Sequence, residues 1–220
     1  HLIKKIERTY ARIMKYFPDN SNYSLKEFLS SYSATLSNVL EEIDEDKLNQ
    51  TFKVISKAIK SHNTIFTCGN GGSSSIAEHL VCDFVKGSST DSIIDPKVIP
   101  LLSTPLITAV ANDIDYEEIF SYQLKKYAAK QDVLLSVSSS GNSPNIVKAI
   151  KKAKELGMLT VSLVGFDGGR AKEISDHVLH IKSHNYGICE DAHHVLMHLL
   201  SQYLRLQNID DDQKLGNVKF

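Results

Sequence analysis

Cys68-Gly69-Asn70-Gly71-Gly72-Ser73-Ser74-Ser75 is the stretch whose reading decides the fold of this chain. The β-favouring run Thr64-Ile65-Phe66-Thr67 leads into it, and a segment with helical character, Ile76 to Phe84, leads out. Strand, glycine turn and helix form the unit from which parallel α/β domains build anion sites. Glycines let the backbone approach a ligand closely, and the unpaired N–H groups of the first helical turn point at negative charge. The same helix carries His79 and Asp83, four residues apart and so on one face. One element therefore offers an anion cradle and a pair of groups suited to a metal or to proton transfer.

The pattern continues as βαβ from residue 63 onward. Strands are expected at 65–67, 98–102, 132–137, 159–164 and 177–181, and helices at 73–86, 104–112, 116–128, 144–156 and 188–206. Pro100 marks the second strand as short or at an edge, and the third is apolar enough to be buried on both faces. Gly165-Phe166-Asp167-Gly168-Gly169 reads as a turn.

Residues 1–61 read as helices that precede the domain, with apolar stripes at helical spacing: Ile3, Ile6, Tyr10 and Ile13, then Phe28, Tyr32, Leu36 and Val39, then Leu48, Phe52, Ile55 and Ile59. Pro18 to Asn22 separates the first helix from the second, which Ser24 caps. A sheet already covered by its own helices leaves these stripes unpartnered, so 1–61 is expected to form an oligomerisation layer. Residues 62–206 form the main domain. The tail, 207–220, with Asp210-Asp211-Asp212, reads as solvated and flexible.

Bulk properties narrow the function classes. The 220 residues fit one decorated domain, with 42% hydrophobic and 23% charged residues. A net charge of −1 argues against a nucleic-acid binder, and no apolar run reaches the length of a membrane span. Three scattered cysteines, Cys68, Cys82 and Cys189, make no disulfide framework. They read as packing residues of a reduced, cytoplasmic protein.

A second cradle, Ser138-Ser139-Ser140-Gly141-Asn142-Ser143-Pro144, follows the third strand and opens a helix, with Pro144 suited to its first turn. Both loops thus lie at carboxyl ends of parallel strands, where open α/β sheets bind ligands. Neither is a P-loop or a dinucleotide fingerprint.

Gly69-Asn70-Gly71-Gly72-Ser73, Ala111-Asn112-Asp113 and Ser138-Ser139-Ser140-Gly141-Asn142-Ser143 together resemble the sugar isomerase (SIS) domain. Within it they most resemble the phosphoheptose isomerases, which interconvert sedoheptulose 7-phosphate and D-glycero-D-manno-heptose 7-phosphate. The resemblance covers roughly residues 25–206. It implies a three-layer α/β fold with a five-stranded parallel sheet flanked by helices, and a homotetramer with sites between subunits. It also implies a sugar-phosphate substrate and a place in making heptose precursors of lipopolysaccharide.

Carried over residue by residue, the resemblance makes His79 a metal ligand and Asp83 a ligand and base. Glu190 becomes a further ligand, and His198 a ligand and general acid. It makes Asn70, Gly71, Gly72, Ser73, Asn112, Asp113, Ser138, Ser139, Ser140 and Ser143 contacts for substrate or phosphate. The chemistry agrees: ketose–aldose isomerisation needs a base near C1 and C2, a proton donor to oxygen and stabilisation of the oxyanion. On the last helix Glu190, His194 and His198 recur at four-residue steps, and two histidines with two carboxylates suit one zinc ion (Zn2+) per subunit. Two positions depart from the family. Asp83 stands where Glu is usual and Glu190 where Gln is usual, which leaves the base open between them. The alternative is a non-catalytic SIS protein, either a sugar-phosphate sensor or a tetrameric interaction protein of the type that assists bacterial replication initiators.

Overall fold

The computed structural model describes residues 16–211 and 215, so the first expected helix and most of the tail lie outside the described residues. In chain order the elements are α1 (Leu25–Glu41), α2 (Glu45–Lys60), β1 (Thr64–Gly69), α3 (Gly72–Cys82), β2 (Lys97–Pro100), α4 (Thr104–Asp113), α5 (Ser121–Tyr127), β3 (Val133–Ser138), α6 (Pro144–Glu155), β4 (Leu159–Val164), α7 (Gly169–Ile174), β5 (His177–His180) and α8 (Tyr186–Leu206). All five strands pair in parallel, in the order β2-β1-β3-β4-β5. Pro100 lies on the edge strand, where its missing N–H breaks no ladder. β3 is buried at every position, as its apolar run requires.

This strand order places the topological switch point between β1 and β3. Chains leaving the two strands turn to opposite faces of the sheet, and a crevice opens beyond their carboxyl ends. Both glycine- and serine-rich loops lie there, each followed by its helix.

Side chains alternate across the sheet, so the two faces build separate cores. Ile65, Val133, Leu135, Val137, Val161 and Leu163 join one core with α2, α3 and α8, through Ile55, Ile59, Ile76, Leu80, Leu196 and Leu200 among others. Phe66, Leu134 and Val164 join the other with α4 to α7, through Val110, Leu124, Ile146, Ile150 and Ala171.

Several readings of the sequence change here. The helices before β1 do not all find a covered sheet: α2 buries Thr51, Ile55, Ala58 and Ile59 and packs against β1 and β5. It is one of the three helices on that face. α1 packs on α8 instead, started by a capping box in which Ser24 N donates to Glu27 at 2.8 Å and Glu27 N to the Ser24 hydroxyl at 3.3 Å. The helix expected over 116–128 is interrupted: a 3-10 turn (Tyr116–Glu118), with Asp115 accepting from Glu117 N at 2.7 Å, precedes α5. The turn after β4 contains the short helix α7. Past α8, Asn208 is buried and Ile209 bridges to Ser92, so the chain there is tied down rather than solvated. Among the cysteines, Cys68 and Cys189 are buried but Cys82 is exposed.

Two polar groups illustrate how the core is closed. Asp132 is 6% exposed and accepts 2.8 Å hydrogen bonds from Thr64 N and Ala129 N, which joins the starts of β1 and β3. His193 on α8 is fully buried. Burial lowers its pKa to about 4.

Asp132→Ala leaves two backbone donors unpaired and is expected to lower unfolding stability by about 1–3 kcal/mol in urea titration. His193 stays neutral in the folded state while the unfolded chain takes up a proton near pH 6.5. Its contribution is therefore full above pH 6.5 and is lost as pH falls from 6.5 toward about 4. Unfolding curves across that window should show a smaller loss of stability for His193→Leu than for the wild type.

Candidate active site

The first loop leaves β1 at Gly69 and enters α3 at Gly72. Gly71 is the N-cap residue and no side chain caps the helix; Ser74 N turns back to Gly71 O at 3.0 Å, which leaves the N–H groups of Gly72 and Ser73 to face an anion. Gly72 has a second use. A Cβ there would fall 2.4 Å from Oε2 of Glu190, so only glycine admits that carboxylate to the helix start.

The second loop runs from β3 into α6. Gly141 has φ 64°, and a Cβ would lie 1.9 Å from the Gly168 carbonyl oxygen. The loop is held from the side of α7: Ala171 N donates to Gly141 O at 2.8 Å, and Arg170 N to Asn142 Oδ1 at 2.9 Å. The hydroxyl of Ser139, which is 4% exposed, is buried without a hydrogen-bond partner among the described residues.

A reciprocal amide pair ties the loops together. Asn70 Nδ2 donates to Asn145 Oδ1 at 2.8 Å, and Asn145 Nδ2 returns to Asn70 Oδ1 at 2.9 Å. Asn145 Oδ1 also accepts from Ile146 N at 2.9 Å. Asn70 is thus committed to holding the loops in register. Between the loops lies a cleft of 330 Å³. Eight of the ten expected contact residues line it: Asn70, Gly71, Gly72 and Ser73 from the first loop, Ser138, Ser139, Ser140 and Ser143 from the second. Glu190 and Tyr186 of α8 complete it. Asn112 and Asp113 are not among the lining residues; they end α4 and bond to each other at 2.8 Å.

α8 packs beside α3 and brings a second group together. Asp83 stands between two imidazoles, with Oδ1 3.4 Å from His79 Nε2 and Oδ2 2.6 Å from His198 Nδ1. One donor atom from each of the three lies within 4.8 Å of the others. Asp83 opens a π-helical turn (Asp83–Gly87), a local widening often found at functional sites. Two nitrogens and an oxygen with an open fourth position are the donor set of a catalytic zinc site. The side chains of His79 and His198 are 46% and 41% exposed, so an ion and a substrate oxygen can reach them.

Glu190 does not join this group. It stands eight residues before His198, about 12 Å along the helix axis, and its carboxylate lies over Gly72. His194 stands between them, its ring 5.8 Å from that of His79 and 6.4 Å from that of His198. Burial, then the neighbouring histidines, lower its pKa and favour the neutral ring. On the far side of the group, Asp83 and His198 also line a cleft of 420 Å³ with Cys82, Lys86 and Arg205.

Sequence reading missed Asn145. Asn145 follows Pro144 at the helix start, but only the facing Asn70 shows what its amide does. Tyr186 belongs to His184-Asn185-Tyr186-Gly187, a stretch that in the sequence reads as either a lid or a contact with a neighbouring subunit; it is 62% exposed and lines the cleft.

Comparison with known proteins identifies the family. A family model described as the SIS domain matches residues 27–165. The phosphoheptose isomerase of Helicobacter pylori strain P12 is 38% identical over 182 residues, covering 80% of this chain and 90% of the relative. That of Aliarcobacter butzleri is 33% identical over 180 residues, covering 82% and 94%. The solved structure of phosphoheptose isomerase from Neisseria gonorrhoeae superposes with a TM-score of 0.75 at 26% identity, covering 82% of this chain and 98% of that one. With two strand-end cradles at the switch point and matches of this extent, the chain belongs to the SIS domain family, in its phosphoheptose isomerase branch.

Proposed function

We propose that this chain is a metal-dependent aldose–ketose isomerase that converts sedoheptulose 7-phosphate to D-glycero-D-manno-heptose 7-phosphate through an enediol. One observation carries the reading. α3 begins in the anion cradle and ends in the His79, Asp83 and His198 group. Gly72 and His79 are seven residues apart, about 10 Å of helix. An extended seven-carbon sugar with a phosphate at one end and a carbonyl at the other suits that span.

In this reading the serine loop and the start of α3 hold the phosphate through hydroxyl and backbone donors. The far end of the sugar then reaches the ionisable groups. Asp83 or Glu190 takes the carbon-bound proton, and His198 exchanges protons with the sugar oxygens. Zinc is the proposed ion, held by His79, Asp83 and His198; when bound it polarises the substrate carbonyl. Glu190 would act as a fourth ligand only after turning away from Gly72, over which its carboxylate lies where a Cβ would otherwise stand.

A homotetramer is the proposed assembly. Leu25 and Leu29 on α1 and Val195 and Leu199 on α8 stay exposed, and a subunit contact would cover them. No helix among the described residues is long and apolar enough to cross a membrane. The proposed setting is the cytoplasm, in the supply of heptose precursors for lipopolysaccharide.

The zinc-loaded protein mixed with sedoheptulose 7-phosphate should give an aldoheptose anomeric signal in proton NMR, and a chelator should stop it until zinc is restored. His198→Ala and Asp83→Ala should each lower kcat by about 10²–10⁴-fold. Ser139→Ala should mainly raise KM, by about tenfold or less, through loss of one phosphate donor. Unchanged turnover in both the His198 and Asp83 variants would remove the reading.

A further inference from the structure

We infer that Tyr186 is a substrate-binding residue: its phenolic hydroxyl donates to the phosphate held in the serine cleft, and Phe166 is the positioning residue that braces it there. The inference rests on the isomerase reading above and adds to it a wall of the site that the two loops do not supply.

Among the described residues that line the cleft there is no lysine, arginine or histidine. A phosphate there is held by neutral donors, the hydroxyls of the serine loop and the N–H groups that open α3. One of those hydroxyls shows the place of a ligand. Ser139 is 4% exposed, and its hydroxyl has no partner among the described residues. A buried hydroxyl left unpaired is costly, and a bound oxygen would satisfy it. These donors all stand on the two loops. The remaining wall comes from α8, through Tyr186 and Glu190. A carboxylate only accepts, so the donor on that wall is the phenol.

The tyrosine is held in place although it is 62% exposed. It is the first residue of α8, and the N-cap Asn185 fixes the backbone beside it. Asn185 Oδ1 accepts from Ile188 N at 3.1 Å, and Asn185 Nδ2 donates to Phe17 O at 3.2 Å. The Tyr186 ring meets that of Phe166 edge to face, with centroids 4.8 Å apart at 73°. Phe166 is itself held by backbone and ring. Its N–H donates to Ser183 O at 2.9 Å, its carbonyl accepts from His180 Nε2 at 2.7 Å, and its ring stacks on His184 at 5.6 Å and 5°. Its φ of 46° lies in the left-handed region, where a bulky residue is strained. Such strain persists where surrounding contacts over-determine it, and here those contacts set a ring against Tyr186. No hydrogen bond among the described residues engages the Tyr186 hydroxyl, which leaves it to a ligand.

Tyr186→Phe removes the hydroxyl and keeps the ring, so it isolates the proposed hydrogen bond. The zinc-loaded full chain is assayed with sedoheptulose 7-phosphate for kcat and KM. Inorganic phosphate is titrated as a competitive inhibitor and, without substrate, as a stabiliser in thermal melts. For Tyr186→Phe, KM and the phosphate inhibition constant should both rise about tenfold while kcat stays within about twofold of the wild type. The ligand-free melting temperature should not move. Phe166→Leu should raise the same two constants by a smaller factor and add nothing in the Tyr186→Phe background, because a brace acts through what it braces. Both constants within about twofold of the wild type in Tyr186→Phe would overturn the inference. A raised KM with an unchanged phosphate constant would also overturn it, since the hydroxyl would then contact the sugar. A smaller assembly mass for Tyr186→Ala in light scattering, with Tyr186→Phe binding phosphate normally, would make the residue a subunit contact instead. Absence of turnover in the wild type would remove the isomerase reading alone. The phosphate melting shift would still decide the role of Tyr186: a shift reduced in Tyr186→Phe supports it, and equal shifts end it.

Discussion

Everything functional in this chain depends on β1 and β3 lying side by side, parallel and buried. Neighbouring parallel strands whose chains depart to opposite faces cannot fill the space beyond their ends. The two loops that leave them must border a crevice, and here both are built of glycine, serine and asparagine. The Asn70–Asn145 pair closes the remaining freedom. Two amides that satisfy each other across the crevice fix the distance between cradles, and they do so with neutral groups that leave the serine hydroxyls and helix N–H groups for an anion.

The second dependence is the packing of α8 on α3. α8 buries Ile188, Ala192, Leu196, Met197, Leu200 and Leu204 in the core shared with α3. That seam sets the rotation of the helix, so Glu190, His194 and His198 are presented toward α3 at successive turns. Their distribution follows from helix geometry. Residues four apart share a face but stand about 6 Å apart along the axis, so one face serves two places. The upper carboxylate lies over Gly72 in the serine cleft, and the lower imidazole meets His79 and Asp83. A pair of adjacent helices thus carries ionisable groups to two places with few residues.

The departures at positions 83 and 190 have a consistent physical description. Asp83, the shorter carboxylate, sits close enough to its own helix to bridge two imidazoles, and Glu190, as long as the usual glutamine but charged, reaches over Gly72. Against the glutamate and glutamine that the family resemblance implies, this chain carries two carboxylates beside its two histidines, and the one that lines the serine cleft is on α8.

Much of this was legible in the sequence because it is local. Strand, glycine turn and helix recur at 64–82 and 133–155. Pro100 marks an edge, the apolar run of β3 marks a centre, and Ser24 with Glu27 marks a helix start; each is a short-range rule of backbone geometry. The four ionisable groups could be gathered as candidates because three- and four-residue spacing places them on common helix faces. What only the tertiary structure decided were relations between elements distant in sequence. Periodicity shows that α2 has an apolar face, but the sheet's width decides that it covers β1 and β5 rather than a partner. Spacing puts Glu190 and His198 on one face, but the register of α8 against α3 decides that one enters the serine cleft while the other joins His79 and Asp83. Asn145 has no local signature at all, since the meaning of a buried amide lies in the group it faces. Side-chain type and period are properties of a segment, whereas distance across a crevice is a property of the packed chain.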